Sequence, residues 1–243
     1  MAIVLFTDFG SGDLYVGQVK AVLAQHAPGT EVIDLLHDVP AYRVRAGAHL
    51  LDALKDSFPV GSVFLAVVDP GVGSEREALI LEADGRHYVG PDNGLLSVIA
   101  ARAAERRWWR ILWRPHALSG SFHGRDLFAP VAALLASGKL MNDERAEIAA
   151  PATELGVGDA AEIIFVDHYG NACTGLRAGR APRDAILVAR GSRLSYARVF
   201  SEAPPGVGFW YQNSYGLVEI AVNLGSAAQL LGLSIGDAVN WSV

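Results

Sequence analysis

The apolar run from Val63 to Val68 stops on a carboxylate, Asp69, and the chain then passes Pro70, Gly71 and Gly73 before reaching Arg76. In an open α/β sheet, ligands bind beyond the carboxyl ends of strands, so an Asp held there by Pro and Gly is a place for chemistry. A carboxylate at that point can orient a water and take its proton, and a guanidinium can fix the carboxylate in turn. Asp-Pro and Pro-Gly also mark plain turns, and Glu75 and Glu77 are ready surface partners for Arg76, so a strand exit beside a solvated ion pair is the competing reading. Three further segments share the character of the first: Thr7-Asp8-Phe9-Gly10, Pro91-Asp92-Asn93-Gly94, and the run from Phe122 through His123 to Pro130. In the second half Asp167-His168-Tyr169-Gly170-Asn171 does the same, and Asn213-Ser214-Tyr215-Gly216 follows.

These residues need a frame. Ala2 to Thr7 and Val63 to Val68 are short apolar runs that read as strands, the first of them buried, and Glu31 to Leu36 reads as a strand between them. Between them, Leu14, Val19, Val22 and Leu23, then Val44, Ala48, Leu51 and Leu54, have helical spacing, with Asp13 placed to cap the first helix. Asp84-Gly85, flanked by Ala78 to Ala83 and Arg86 to Val89, predicts a hairpin. Leu95 to about Glu105 and Leu127 to Leu135 read as helices, and Trp108 to Trp113 as a strand. Such alternation predicts a Rossmann-like α/β domain over residues 1–150 with a largely parallel sheet. After a small-residue linker from Ala149 to Gly158, short β-like runs separated by Gly-rich turns predict a smaller β-barrel or sandwich over residues 158–243.

Composition excludes several classes of function. The 243 residues are 51% hydrophobic and 19% charged, which suits a globular chain. The net charge of −6 opposes a nucleic-acid surface. The arginines from Arg102 to Arg114 alternate with Trp108, Trp109 and Trp113, as a solvated helix end leading into a strand would. No stretch has the roughly 20 apolar residues of a membrane span. One cysteine, Cys173, fits a reducing compartment and a cytoplasmic location, and its Gly- and Asn-rich neighbours predict partial exposure in a turn. His37, His116, His123 and His168 lack metal-ligand spacing, and neither a dinucleotide fingerprint nor a phosphate-cradling loop is present, so no metal and no cofactor is expected.

Taken in order, these segments, from Ile3 to about Val239, resemble the SAM hydroxide adenosyltransferases, relatives of the fluorinase and chlorinase enzymes. The resemblance implies hydrolysis of S-adenosyl-L-methionine to adenosine and L-methionine, by in-line attack of water at the ribose C5′. It implies Asp69, Arg76 and His123 as the catalytic set and Asp8 as the acceptor of ribose hydroxyls. Asn93, Asp167, Tyr169, Asn171, Ser214 and Glu219 then line the rest of the substrate. Within that set Tyr169 stacks on the base, Asn171 meets the adenine edge or the methionine end, Asp167 holds the ammonium, and Glu219 accepts from a substrate amine. It also implies a homotrimer with the site at the subunit interface.

Each residue keeps a plainer alternative. His123 suits a loop histidine donating to a carbonyl, Asp8 a helix cap, Asp92 and Asn93 a structural turn, Gly170-Asn171 the tip of a tight turn, and Glu219 a solvent-facing strand position. Tyr169 stands where the family more often has Phe, and Gly175 where it more often has Asn. Two other functions stay open: a halogenase of the same superfamily, which the negative charge of Asp69 opposes, and an adenosine or S-adenosylmethionine binder without turnover.

Overall fold

A computed structural model of the chain describes residues 1–156 and 158–242; Val157, inside the predicted linker, lies outside the described residues. The chain divides into two compact units, Met1–Leu51 with Lys55–Val157, and Gly158–Val243 with Asp52–Leu54.

The first unit is built on a seven-stranded sheet. Its elements are β1 (Ile3–Thr7), α1 (Tyr15–His26), β2 (Val32–Leu36), α2 (Val44–Leu54, assigned to this unit as far as Leu51), β3 (Val63–Val67), β4 (Ala78–Ala83), β5 (Arg86–Pro91), α3 (Ser97–Arg102), β6 (Arg106–Ile111), α4 (Ala129–Ala136) and β7 (Arg145–Ile148). The strand order is β2-β1-β3-β5-β4-β6-β7. β1 and β3 are buried along their whole length, which is why they read as unbroken apolar runs rather than alternating ones. Val19 and Leu23 of α1 and Val131 of α4 join Leu127 and Phe128 in the core cluster that includes Ile3 and Leu65.

The expected largely parallel, Rossmann-like sheet is corrected to a mixed one. β2, β1, β3 and β5 pair in parallel, but β4 runs antiparallel to both β5 and β6, and β6 antiparallel to β7. The cause is the Asp84-Gly85 turn. Both residues have positive φ, 46° and 75°, which suits a tight hairpin, and this folds β4 back against β5. Asp13 does not cap α1; the cap position is Leu14, with no side-chain hydrogen bond.

The second unit holds another seven-stranded sheet, in the order β14-β10-β11-β12-β13-β9-β8. These are β8 (Ala160–Val166), β9 (Ala172–Arg177), β10 (Ile186–Ala189), β11 (Ser192–Tyr196), β12 (Gly208–Gln212), β13 (Leu217–Val222) and β14 (Val239–Ser242), with α5 (Ala227–Leu231) between the last two. Its two edges meet. A bridge joins Glu162 to Ala238, Ile163 N–H donates to Asp237 O at 2.9 Å, and Gly236 N–H donates to Ile163 O at 2.8 Å. The sheet is thus nearly a barrel, which removes the exposed edges an open sheet would leave. Trp210, Leu187, Val218, Ile220 and Val239 fill its core, and the Trp210 indole N–H donates to Ala185 O at 3.0 Å. Cys173 is not in an exposed turn: it lies in β9 and is 1% exposed. Burial pushes its thiol up to about 12.

Candidate active site

The predicted site residues fall into two groups, one in each unit. The first forms where β1, β3 and the 119–128 segment end. Asp69 leaves β3 one residue after Val68, and Arg76 folds back on it across a tight loop. Arg76 Nε donates to Asp69 Oδ1 at 2.6 Å, and Arg76 Nη2 donates to Asp69 Oδ2. Only 9% of the Arg76 side chain and 5% of the Asp69 side chain is exposed, so this is a desolvated fork-to-fork pair, not a surface bridge to Glu75 or Glu77. Glu77 pairs instead with Arg110, at 3.3 Å. The Arg76 guanidinium also lies over the Phe128 ring, 5.3 Å from its centre.

Arg76 Nη2 lies 3.2 Å from His123 Nδ1, which links the two loops. His123 is 8% exposed and starts a turn, Gly124–Phe128, wound with one extra residue before α4. Such π-type turns recur at functional sites because they redirect side chains. Burial first, and the Arg76 charge second, hold the His123 ring below the usual imidazole range. Two glycines bring the loops together: a Cβ on Gly73, whose φ is +83°, would overlap the carbonyl oxygen of Gly120. Asp126 braces the same segment. Its carboxylate accepts from Ser119 N–H at 3.0 Å and from Arg125 Nε at 2.6 Å, and Arg125 reaches Gln18 of α1 at 2.9 Å.

Asp8, Asp69 and His123 line one cavity of about 70 Å³, together with Phe9, Val72, Ser121 and Phe122. That is room for a few waters. Asp8 Oδ2 accepts from the backbone N–H of Tyr42 at 3.3 Å, and burial raises its pKa, with the Asp69 charge adding to the shift. Tyr42 holds that N–H in place from a left-handed backbone, φ 64°, costly for a bulky residue. Asn93 is elsewhere engaged. Its amide donates to Val68 O at 2.8 Å and its oxygen accepts from Leu95 N–H at 3.2 Å, so it anchors the strand end that carries Asp69. Asp92 holds the linker, accepting from Ala152 and Thr153 N–H at 2.8 and 3.1 Å.

The second group lines a cavity of about 900 Å³ in the barrel unit, where Asp167, Tyr169, Asn171, Ser214 and Glu219 all appear. A cavity of this size takes a whole small molecule. Asp167 organises its turn: Oδ1 accepts from Tyr169 and Asn171 N–H at 3.0 and 2.8 Å, and Oδ2 from the Asn171 amide at 2.9 Å. Tyr169 is 74% exposed. Glu219, 5% exposed, faces inward rather than to solvent. It accepts from Tyr211 OH, from Asn213 Nδ2 at 2.9 Å and from Tyr215 OH at 3.4 Å. Burial and the Glu219 contact both push the Tyr211 hydroxyl upward, so it stays a donor. Sequence reasoning missed Tyr211 and gave Asn213 no role of its own. The signal for Tyr211 lay in the register, which sets it directly opposite Glu219 across β12 and β13.

Among the described residues, no group of three or more His, Cys, Asp or Glu side chains is arranged to hold a metal, and no helix is long and apolar enough to cross a membrane.

Comparison with known proteins bears on this arrangement. Residues 3–144 match the SAM hydroxide adenosyltransferase N-terminal domain, and residues 161–240 match its C-terminal domain. The (R)-S-adenosyl-L-methionine hydrolase of Thermus thermophilus is 41% identical over an alignment of 254 positions that covers 96% of each chain. The crystal structure of an uncharacterized conserved protein from Thermotoga maritima is similar with a TM-score of 0.89, at 31% identity over 99% of this chain and all of that one. A fluorinase from Actinoplanes is more distant, 25% identical over 72% of this chain and 71% of its own. With two domain models matched in order over most of the chain, this protein belongs to the SAM hydroxide adenosyltransferase family.

Proposed function

We propose that the protein hydrolyses S-adenosyl-L-methionine to adenosine and L-methionine. The observation that carries this reading is the contact chain Asp69–Arg76–His123 beside Asp8 in a cavity sized for water. The oxygen of a water attacks C5′, the C5′–S electron pair leaves with sulfur, and the proton released from the water passes to Asp69. Methionine departs as a neutral thioether, so no acid is needed on that side. Arg76 holds both oxygens of Asp69 and aims the carboxylate. Asp8 receives the ribose hydroxyls.

In this proposal the barrel cavity takes the remainder of the substrate. Tyr169 stacks on the base, Asn171 and Ser214 fix polar edges, and Asp167 and Glu219 answer the cationic amine. Asn93 supports the site through Val68 rather than by touching substrate. The relatives' names carry the (R) sulfonium epimer, and we extend that preference to this chain. The proposal includes a homotrimer whose subunits complete one another's sites, no added cofactor and a cytoplasmic location, which the buried, unpaired Cys173 suits.

Purified protein incubated with S-adenosylmethionine in heavy-oxygen water, with and without chloride, tests it. Adenosine carrying the label at O5′ is expected. A 5′-chlorinated product would move the protein to the halogenases, and intact substrate with bound adenosine would make it a binding protein.

A further inference from the structure

We propose that His123 serves the reaction as a hydrogen-bond donor through Nε2–H and not as its base. The inference rests on the hydrolase reading above. An arginine guanidinium has five N–H donors and no acceptor, and it stays protonated throughout the working range of the protein. The contact of 3.2 Å between Arg76 Nη2 and His123 Nδ1 is therefore a hydrogen bond only if Nδ1 offers its lone pair. A neutral ring whose Nδ1 is an acceptor carries its proton on Nε2.

The charges around the ring agree. Asp69 and Asp126 favour its protonation, while burial, Arg76 and Arg114 oppose it, and the balance lies on the neutral side. Nε2 has no hydrogen-bond partner among the described residues, and the ring lines the cavity shared by Asp69 and Asp8. The polar group that His123 presents to that cavity is thus an N–H. It can hold the oxygen of the attacking water and stabilise the charge that oxygen gains as its proton leaves. It cannot accept that proton, because its only lone pair is engaged by Arg76.

The proton consequently goes to Asp69. Each Asp69 oxygen accepts one Arg76 hydrogen and keeps a further lone pair, so the carboxylate retains capacity while paired. The division of labour is then complete: Asp69 accepts, Arg76 orients and fixes the histidine tautomer, and His123 donates.

Ring-nitrogen NMR of histidine-labelled protein, with His123→Gln protein as the difference spectrum, reads the tautomer without substrate. A pyridine-type Nδ1 and a pyrrole-type Nε2 are expected; the reverse assignment overturns the proposal. Kinetics give the second arm. Loss of one preorganised donor lowers kcat by about 10²–10³, the loss expected of His123→Ala. The amide N–H of His123→Gln can stand where Nε2–H stood. It should therefore recover about tenfold or more of that kcat, with KM near wild type in both variants. Gln no better than Ala would mean that a base had been lost, and the proposal fails. Wild-type protein that leaves S-adenosylmethionine intact sinks the hydrolase reading itself, and this role with it, whatever the tautomer.

Discussion

Asp69 and Glu219 are both carboxylates with side chains nearly shut off from solvent, yet they are held in opposite ways. Asp69 is neutralised by a permanent cation in a cavity of about 70 Å³. Glu219 is ringed by neutral donors, two phenols and an amide, in a cavity of about 900 Å³. An ion pair locks a carboxylate's direction and charge, which suits a group that must meet one water in one line. A ring of neutral donors sets no cation beside the carboxylate, which in the proposed reading leaves that place to the cationic end of the substrate. In the proposed reading one unit serves the bond-making event and the other holds the bulk of the substrate.

The contrast can be broken most directly at Asp69. Asp69→Asn should lower kcat by roughly 10²–10⁴-fold while leaving the adenosine dissociation constant nearly unchanged, as calorimetry beside steady-state kinetics would register. It should also lower Tm, because Arg76 is left as a buried charge without its partner. Equal losses in turnover and affinity would erase the distinction between the two carboxylates. Glu219→Gln should do the reverse. It removes the negative charge and sets an amide against three donors, so affinity for S-adenosylmethionine should fall by about 1–3 kcal/mol, with kcat at saturation held. A collapse of kcat at saturating substrate would place Glu219 among the reacting groups.

Asp8 sharpens the comparison from a third side. Burial raises its pKa, so the native state holds the Asp8 proton more tightly than the unfolded chain does. The stability it contributes is present below the ordinary carboxylate pKa and is lost as pH rises through the raised value. At neutral pH the ionised group therefore destabilises the fold. Asp8→Asn should raise Tm at neutral pH, lose that advantage toward acid, and weaken substrate binding by about tenfold; thermal melts across pH with a binding isotherm decide it. The smallest effect is expected at Tyr42. Tyr42→Gly keeps the N–H that Asp8 accepts and removes a left-handed strain of order 1 kcal/mol, so Tm should hold or rise slightly. A falling Tm would show that the exposed ring contributes packing.

Much of this was legible in the residues, and the rest failed for identifiable reasons. The buried strands β1 and β3 announce themselves, since a strand covered on both faces is apolar at every position. Asp84-Gly85 announced the antiparallel β4–β5 hairpin, but that β6 adds antiparallel to β4 is a long-range matter, and the two together make the sheet mixed. Asp69 was visible as a strand-end carboxylate. Its pairing with Arg76 was one of two open readings, because Glu75 and Glu77 offered Arg76 the same charge nearby, and the loop's return settles it. At Glu219, alternation shows which residues share a face and is silent on which face is inside. Cys173 was misjudged because β9 follows the Gly170-Asn171 turn and carries Gly175, whose missing side chain lets Ala160 of the neighbouring strand come close.

The position of that cysteine has a practical consequence. Its thiol is sealed in the barrel wall, with a pKa pushed up to about 12, so it offers almost no thiolate to oxidants or alkylating reagents. The native chain should behave toward maleimides as though it had no cysteine at all. A single cysteine introduced at Tyr169, which is 74% exposed, would then be the one handle that reacts, and a dye placed there would report on the mouth of the barrel cavity without background from the wild-type sequence.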